Sequence, residues 1–352
     1  MTPDTVSGKR LALLKKRLRR DKLDALLVTN DINISYLSGF TGHDATIIVT
    51  PDKSFFITDS RYIEDAGDSV TGFDIRLARG SLYKIIEEIT AAERLKRIGF
   101  ESRNLSYEVA VRLKKSLAKS LFLPAQEPVE ELRAIKDADE IAVIKRSIRL
   151  THDIFKKAGS FIKPGATEES IAREIEMAIL ASGARPSFDP IVAADANSSK
   201  PHAVPAARRI TRNSYVMIDI GCLLKRYASD MTRMVVVGKA RPRMDKIWKV
   251  VSDAQARAID LIRPGGDIAK VDAAAREYIK NKGFGKYFGH ALGHGVGMEV
   301  HEKPNISPMS EGRLQSGMVF TVEPAIYIPR FGGVRVEDMV LVTDKGCKIL
   351  SR

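Results

Sequence analysis

Apolar and polar positions along the first third of the chain switch between two periods. Leu11, Leu14 and Leu18 recur at helical spacing among Lys15, Lys16, Arg17, Arg19 and Arg20, which predicts a helix near residues 8–20 with one buried face. A short apolar run, Asp24-Ala-Leu-Leu-Val-Thr29, then reads as a strand ended by Asn30 and Asp31. Ala45-Thr-Ile-Ile-Val-Thr50 and Ser54-Phe-Phe-Ile-Thr58 read as a strand pair turning at Pro51-Asp52-Lys53. Helical segments are predicted near 60–67, 81–94 and 106–119. Strands and helices alternating in this way predict an α/β domain.

The pattern breaks at the Pro-punctuated stretch Leu123-Pro-Ala-Gln-Glu-Pro128, which sets the expected boundary between domains 1–127 and 128–352. Beyond it, helices are predicted at about 137–159, from Thr167 onward, near 243–263 and at 268–281. Thr167 serves as an N-cap, but Ser170 stands where a strict capping box has an acid or amide. After residue 186 the rest is short strands and Gly-rich loops. No internal repeat is expected.

Length changes the picture little: 352 residues suit two domains and need no staples. The chain is 44% hydrophobic and 29% charged, the mix of a globular protein. No apolar run reaches transmembrane length, and Met1-Thr2-Pro3-Asp4 leads into a basic helix without an apolar core, so neither a membrane span nor a secretory signal is expected. Cys222 and Cys347 are far apart and in no metal or redox spacing, which fits free thiols in a cytoplasmic protein. The net charge is +13, but the surplus is spread mainly over residues 131–352. Its densest cluster lies on the first helix without interleaved aromatics, so nucleic acid is not an expected partner.

The chemistry lies in four misplaced acids and a histidine cluster. Asp219 sits in the apolar strand Tyr215-Val-Met-Ile-Asp-Ile-Gly221, and Asp230 in the next strand, Tyr227 to Val237. A turn at Leu224-Lys225 would set 219 opposite 230 on one sheet face, where two carboxylates repel unless one is protonated or a cation lies between them. An Asp capping a turn or pairing with Arg233 is the structural alternative. The arrangement recurs: Glu323 lies in Val319-Phe-Thr-Val-Glu-Pro324 and Glu337 in Gly333-Val-Arg-Val-Glu-Asp-Met-Val-Leu-Val342. A turn around Pro329-Arg330-Phe331 would set 323 opposite 337. Buried acids are costly unless paired or bound to metal, and two such hairpins are improbable as accidents of packing.

Between the hairpins, Phe288-Gly-His-Ala-Leu-Gly-His-Gly-Val-Gly-Met-Glu-Val-His-Glu302 holds His290, His294 and His301, half of the six histidines. Its glycines at 289, 293, 295 and 297 suggest backbone passing close to something. It lacks the Glu of a zincin HExxH motif. Four carboxylates and an imidazole form a hard donor set that favours Mn²⁺, with Co²⁺ or Zn²⁺ as alternatives, and carboxylates can bridge two ions. Such a pair activates water and polarises a carbonyl.

The order Asp219, Asp230, His294, Glu323, Glu337, with the His-rich string and Phe320-Thr-Val-Glu-Pro324, resembles the dinuclear metallopeptidases of the pita-bread fold. Asn33-Ile-Ser-Tyr-Leu-Ser-Gly-Phe40 and Phe56-Ile-Thr-Asp-Ser-Arg-Tyr62 are similar to the creatinase-like N-terminal domain of the Xaa-Pro peptidases, aminopeptidase P and prolidase. The resemblance covers the whole chain and implies an α/β N-domain before a pita-bread catalytic domain. It implies Asp219 on one metal, His294 and Glu323 on the other, and Asp230 and Glu337 bridging. It further implies substrate-side catalytic roles for His202 and His301, a proton-shuttling role for Glu323, a place for His290 beside the proline pocket and an organising role for Arg335. Peptides with proline at position two are the implied substrates, and a homodimer the implied assembly. Two other readings remain: a pita-bread binding module that has lost its metals, against which five intact ligand positions argue, and a peptidase of other specificity such as methionine removal, against which the extra N-terminal domain argues.

Overall fold

In the computed structural model, residues 6–352 are described, so the sequence expectation for Met1-Thr2-Pro3-Asp4 lies outside the described residues. The chain divides into two compact units, the first ending at Arg133 and the second running from Ala134 to Arg352.

The first unit runs α1 (Val6–Arg20), β1 (Ala25–Val28), α2 (Asp31–Ser38), β2 (Ala45–Val49), β3 (Ser54–Thr58), α3 (Ile63–Ser69), β4 (Asp74–Leu77), α4 (Leu82–Ala92), β5 (Arg97–Glu101), α5 (Tyr107–Ser116), β6 (Leu121–Ala125) and α6 (Glu130–Arg133). Its strands form one mixed sheet in the order β4-β3-β2-β1-β5-β6. Ala25, Leu27, Ile48, Phe55 and Ile57 pack with Ile86 and Ile89 of α4 and Leu113 of α5. The alternate residues Leu26, Ile47 and Phe56 are buried too, as in a sheet covered on both faces. The sequence reading ended β1 at Asn30 and expected no helix there. Instead the Asn30 side chain accepts from the amides of Ile32 and Asn33 and starts α2, whose buried residues run Asn33–Ser38 without amphipathic periodicity.

The second unit runs α7 (Ala138–Ala158), α8 (Glu168–Ala181), β7 (Arg185–Pro186), β8 (Ile191–Ala194), β9 (Ser214–Ile220), β10 (Cys222–Leu224), β11 (Tyr227–Ala228), β12 (Met231–Val237), α9 (Pro242–Ile259), α10 (Ile268–Asn281), β13 (Gly293–Gly295), β14 (Glu302–Ile306), β15 (Val319–Val322), β16 (Ala325–Ile328), β17 (Gly332–Arg335), β18 (Asp338–Val342) and β19 (Cys347–Ile349). A three-stranded sheet, β12-β9-β8, and a five-stranded sheet, β14-β13-β15-β18-β19, carry the chemistry. Ile171, Ile175 and Ile179 of α8 pack on Val192, Val216 and Ile218. Val251, Ala254 and Ala258 of α9 and Ala275 of α10 share a core with Phe320, Val322 and Val340.

The expectation of no internal repeat is corrected. Lys163-Pro-Gly-Ala-Thr167 leads into α8 and Arg263-Pro-Gly-Gly-Asp267 into α10. Thr167 and Asp267 cap their helices, accepting from the amides of Ser170 and Lys270. Thr167 bridges to Arg209 and Asp267 to Arg313, and those arginines donate to Gly165 O and Gly265 O, both at 2.9 Å. Each helix pair thus repeats the same join to its sheet. Beyond the turn the match continues along one helix face, with Ile171, Ile175 and Ile179 of α8 answering Val271, Ala275 and Ile279 of α10, and with Gly183 and Gly283 after them at φ 78° and 83°. The capping box at Thr167 is also complete, because Ser170 Oγ accepts from Thr167 N at 3.0 Å in place of an acid.

One hairpin register is corrected. The turn falls on Lys225 and Arg226, both in the left-handed region at φ 48° and 69°, not on Leu224-Lys225. Asp219 therefore pairs with Thr232, and Asp230 lies diagonally across from Asp219. Moving a turn by one residue shifts the register by two, so both acids keep the same face. The second hairpin keeps the expected register: Ala325 pairs with Arg335 and Val322 with Asp338, which leaves Glu323 and Glu337 facing each other between two ladders.

Candidate metal centre

Asp219 lies within β9, whereas Asp230, Glu323 and Glu337 stand at the breaks between β11 and β12, β15 and β16, and β17 and β18; all four acids face a cleft of about 750 Å³. Asp219, Asp230, His294, Glu323 and Glu337 all line it. Ligand atoms of Asp230, His294 and Glu337 lie within 4.8 Å of one another. His294 Nε2 is 3.2 Å from Glu323 Oε1 and 3.6 Å from Asp230 Oδ2. Asp219 does not pair with Arg233, which instead binds Asp338; its Oδ2 accepts from Arg335 Nη2 at 2.5 Å.

Arg335 organises this wall. It is buried and donates to Thr232 Oγ1 at 2.9 Å, Tyr327 Oη at 2.6 Å and Pro201 O at 3.0 Å. Thr232 Oγ1 in turn donates to Glu337 Oε2 at 2.6 Å. Thr321 plays the matching part opposite, accepting from His294 N at 3.0 Å and donating to Glu323 Oε1 at 3.2 Å. Sequence reasoning missed both threonines. Thr232 lies two residues past Asp230 and Thr321 two before Glu323, the strand spacing for one shared face. That signal was available, but Thr is common in strands for other reasons.

Two oxygens mark what the donor set lacks. Asp219 Oδ1 and Asp230 Oδ1 are buried without a hydrogen-bond partner, a costly state that a divalent cation relieves. Burial, then the charges of Glu337 and Asp219, push the Asp230 carboxyl well above the usual carboxylate range. Burial, then Glu323 and Asp219, do the same to Glu337. Burial also works to raise Glu323, but the hydrogen bond and charge of His294 carry it below its ordinary value. The residues present fit hard divalent ions.

The glycine-rich stretch is only partly as expected. A Cβ on Gly293 would stand 1.9 Å from Thr321 O, and one on Gly295 2.0 Å from Lys303 O, so bare backbone lets β13 lie between its neighbours. Gly289 has open space and needs no such explanation. The His301 and His294 rings lie against each other, tilted by 55° with centres 4.2 Å apart. Glu302, next in the chain, forms a buried ion pair with Lys136 at 2.7 Å. His290 lies between Phe288 and Tyr327, at 5.1 and 5.7 Å between ring centres. Its Nδ1 is 2.7 Å from Ala291 O and its buried Nε2 has no partner. Burial lowers its pKa, which favours a neutral ring. The Arg276–Asp272 pair on α10 fixes this loop: Arg276 donates to Phe288 O and His290 O, and Asp272 accepts from Leu292 N. His202 also lines the cleft, on the exposed loop before β9.

Family comparisons agree with this architecture. Residues 10–135 match the Creatinase/Prolidase N-terminal domain and residues 142–344 match Metallopeptidase family M24. The chain is 34% identical to a Xaa-Pro dipeptidase of Pyrococcus furiosus over 97% of both chains. Among solved structures, a Xaa-Pro dipeptidase from Bacillus anthracis superposes with a TM-score of 0.95 at 34% identity, covering 98% of each chain. An X-Pro aminopeptidase from Thermotoga maritima superposes at 0.87 and 32% identity, covering 96% of this chain and 97% of that one. The chain belongs to metallopeptidase family M24, and its first unit is the creatinase/prolidase type of N-terminal domain.

Proposed function

We propose that this metallopeptidase hydrolyses the bond before a proline at position two of a peptide, with two divalent ions held by Asp219, Asp230, His294, Glu323 and Glu337. The observation that carries the reading is the convergence of these five donors on one cleft with two buried carboxylate oxygens unpartnered. The relatives named Xaa-Pro dipeptidase and X-Pro aminopeptidase support the specificity. Manganese is the metal we assign, from the hard donor set. A homodimer follows the family resemblance, and a cytoplasmic location fits two free cysteines. No helix among the described residues is long and apolar enough to cross a membrane.

Bound there, the ions supply Lewis-acid polarisation of the scissile carbonyl and a hydrolytic nucleophile. The chain's own residues do the rest. Glu323 Oε1, beside His294, takes the proton released as the carbonyl is attacked and passes it to the proline nitrogen, an imide nitrogen that carries no hydrogen before cleavage. His202 and His301 donate toward the oxygen on which negative charge develops. The Phe288–His290–Tyr327 cluster offers the pyrrolidine ring an apolar, ring-lined wall. Arg335 holds Asp219 and Thr232 so that both strand pairs keep their carboxylates aimed inward.

Equilibrium dialysis against Mn²⁺ tests the reading, with two ions bound per chain as the expected result. Chelation abolishes peptide hydrolysis, and Mn²⁺ or Co²⁺ restores it. Full activity in a verified metal-free sample overturns the assignment.

A further inference from the structure

Glu168 is fully buried, and Arg208 acts on it only through its charge, with no ion pair within 4 Å among the described residues. Its carboxylate accepts from Ala194 N at 2.6 Å, Asn197 Nδ2 at 2.8 Å and Ala206 N at 3.1 Å. These donors lie at the start, within and at the end of the loop 194–206, which carries His202 into the cleft. Asn197 extends the reach, its Nδ2 donating also to Val204 O at 3.4 Å. On the other side, Arg335 holds Pro201 O. The His202 ring itself makes no hydrogen bond among the described residues, so the backbone on either side sets its place.

The internal repeat shows that this carboxylate is not needed to start the helix. Ile268 stands at the same first position of α10 as Glu168 does in α8. Glu168 N donates to Arg208 O at 3.1 Å and Ile268 N to Gly312 O at 3.3 Å, the same join in both halves. The second helix is capped and joined to its sheet without an acid there. A buried carboxylate at this point is costly, so it persists where its hydrogen bonds are used.

We infer that Glu168 is a positioning residue for catalysis, clamping the loop 194–206 so that His202 is presented to the reacting carbonyl. The inference rests on the role proposed above for His202. Glu168→Gln turns one acceptor oxygen into a donor that faces a donor, which opens the clamp without removing volume.

The test is a double-mutant cycle on Ala-Pro hydrolysis with hydrogen exchange alongside. His202→Ala lowers kcat by about 10²–10³-fold, as expected for one lost donor to a developing oxyanion. Glu168→Gln lowers kcat by about 10–100-fold with KM little changed, because small misplacements cost on that scale. In the His202→Ala background the same substitution has almost no further effect, the mark of two residues acting through one step. Both single variants keep the Mn²⁺ content of the native chain. Hydrogen exchange of Glu168→Gln speeds up across 194–206 while α8 stays protected. Asn197→Ala, which removes one limb and leaves Glu168 in place, runs the same cycle if Glu168→Gln does not fold, with a smaller drop in kcat. An equal loss in both backgrounds, unchanged kcat in Glu168→Gln, or unchanged exchange in the loop overturns the inference and leaves the role of His202 standing. Unchanged kcat in His202→Ala alone overturns that role as well.

Discussion

Asp230 and Glu337 lie within 4.8 Å of each other by their carboxylate oxygens, each pushed toward protonation by burial and by the other acids. In the function proposed above, each would bridge both ions. Asp230→Ala and Glu337→Ala are therefore expected to lose both metals, whereas His202→Ala keeps near two per chain. Metal analysis of the purified variants checks this, and a metal lost from His202→Ala would place that residue in the ligand shell. Cys222 gives a separate check. It is fully buried, and burial pushes its thiol up to about 11. A thiol reagent at pH 8 is expected to label at most one cysteine in the native chain and two after denaturation, since only the thiolate reacts. The acids were legible in sequence because each breaks an apolar run. Glu168 was not: an acid in the first turn of a helix is favoured by the helix dipole alone, and only the fold reveals the loop it holds.

The strands and helices were legible wherever periodicity and punctuation agreed. β3 and α10 fall on the predicted bounds, since each is bracketed by clear turn or cap residues. The β9–β12 hairpin shows the limit. Its turn uses Lys225 and Arg226 at positive φ, positions where Gly or Asn would have announced it. The catalytic face survived the error because strand facing depends on parity and not on exact pairing. α2 was missed because it is buried along almost its whole length. Two substitutions probe these elements. Thr167→Ala is expected to cost about 1 kcal/mol of stability, the usual worth of an N-cap, read by denaturant unfolding. Gly293→Ala forces a methyl against Thr321 O. It is expected to cost about 1–3 kcal/mol, as overpacking does, and to weaken Mn²⁺ binding through the neighbouring His294. Unchanged stability and metal affinity would show that β13 has room the geometry denies it.

At the scale of the whole molecule, the two halves of the second unit each contribute a helix pair and one carboxylate hairpin, and the four acids of those hairpins line one cleft. That convergence was readable from the recurrence of the acid pairs. The repeat that produces it is also written in the sequence, as Lys163-Pro-Gly and Arg263-Pro-Gly followed by Gly183 and Gly283 in the same register, but it is too short and sparse to stand out before the fold aligns the two halves. The net charge of +13 is carried mainly by residues 131–352 and gathers in no single run there. A gel-shift at about 150 mM salt is expected to show only weak, sequence-blind retention that falls steeply with salt; tight binding that survived high salt would point to a nucleic-acid partner. Proline selectivity is the property that metal chemistry alone cannot supply, since the ions polarise any carbonyl. In the function proposed above, it comes from the wall around His290. The most direct measurement is therefore the hydrolysis of Ala-Pro, Ala-Pro-Ala, Ala-Ala-Ala and Met-Ala-Ala by the Mn²⁺-loaded enzyme. A pocket shaped to a fixed ring rejects a flexible side chain by about 10–200-fold, so cleavage before proline is predicted to lead by that margin in at least one of the two proline peptides. Preferential cleavage of Met-Ala-Ala would contradict the account.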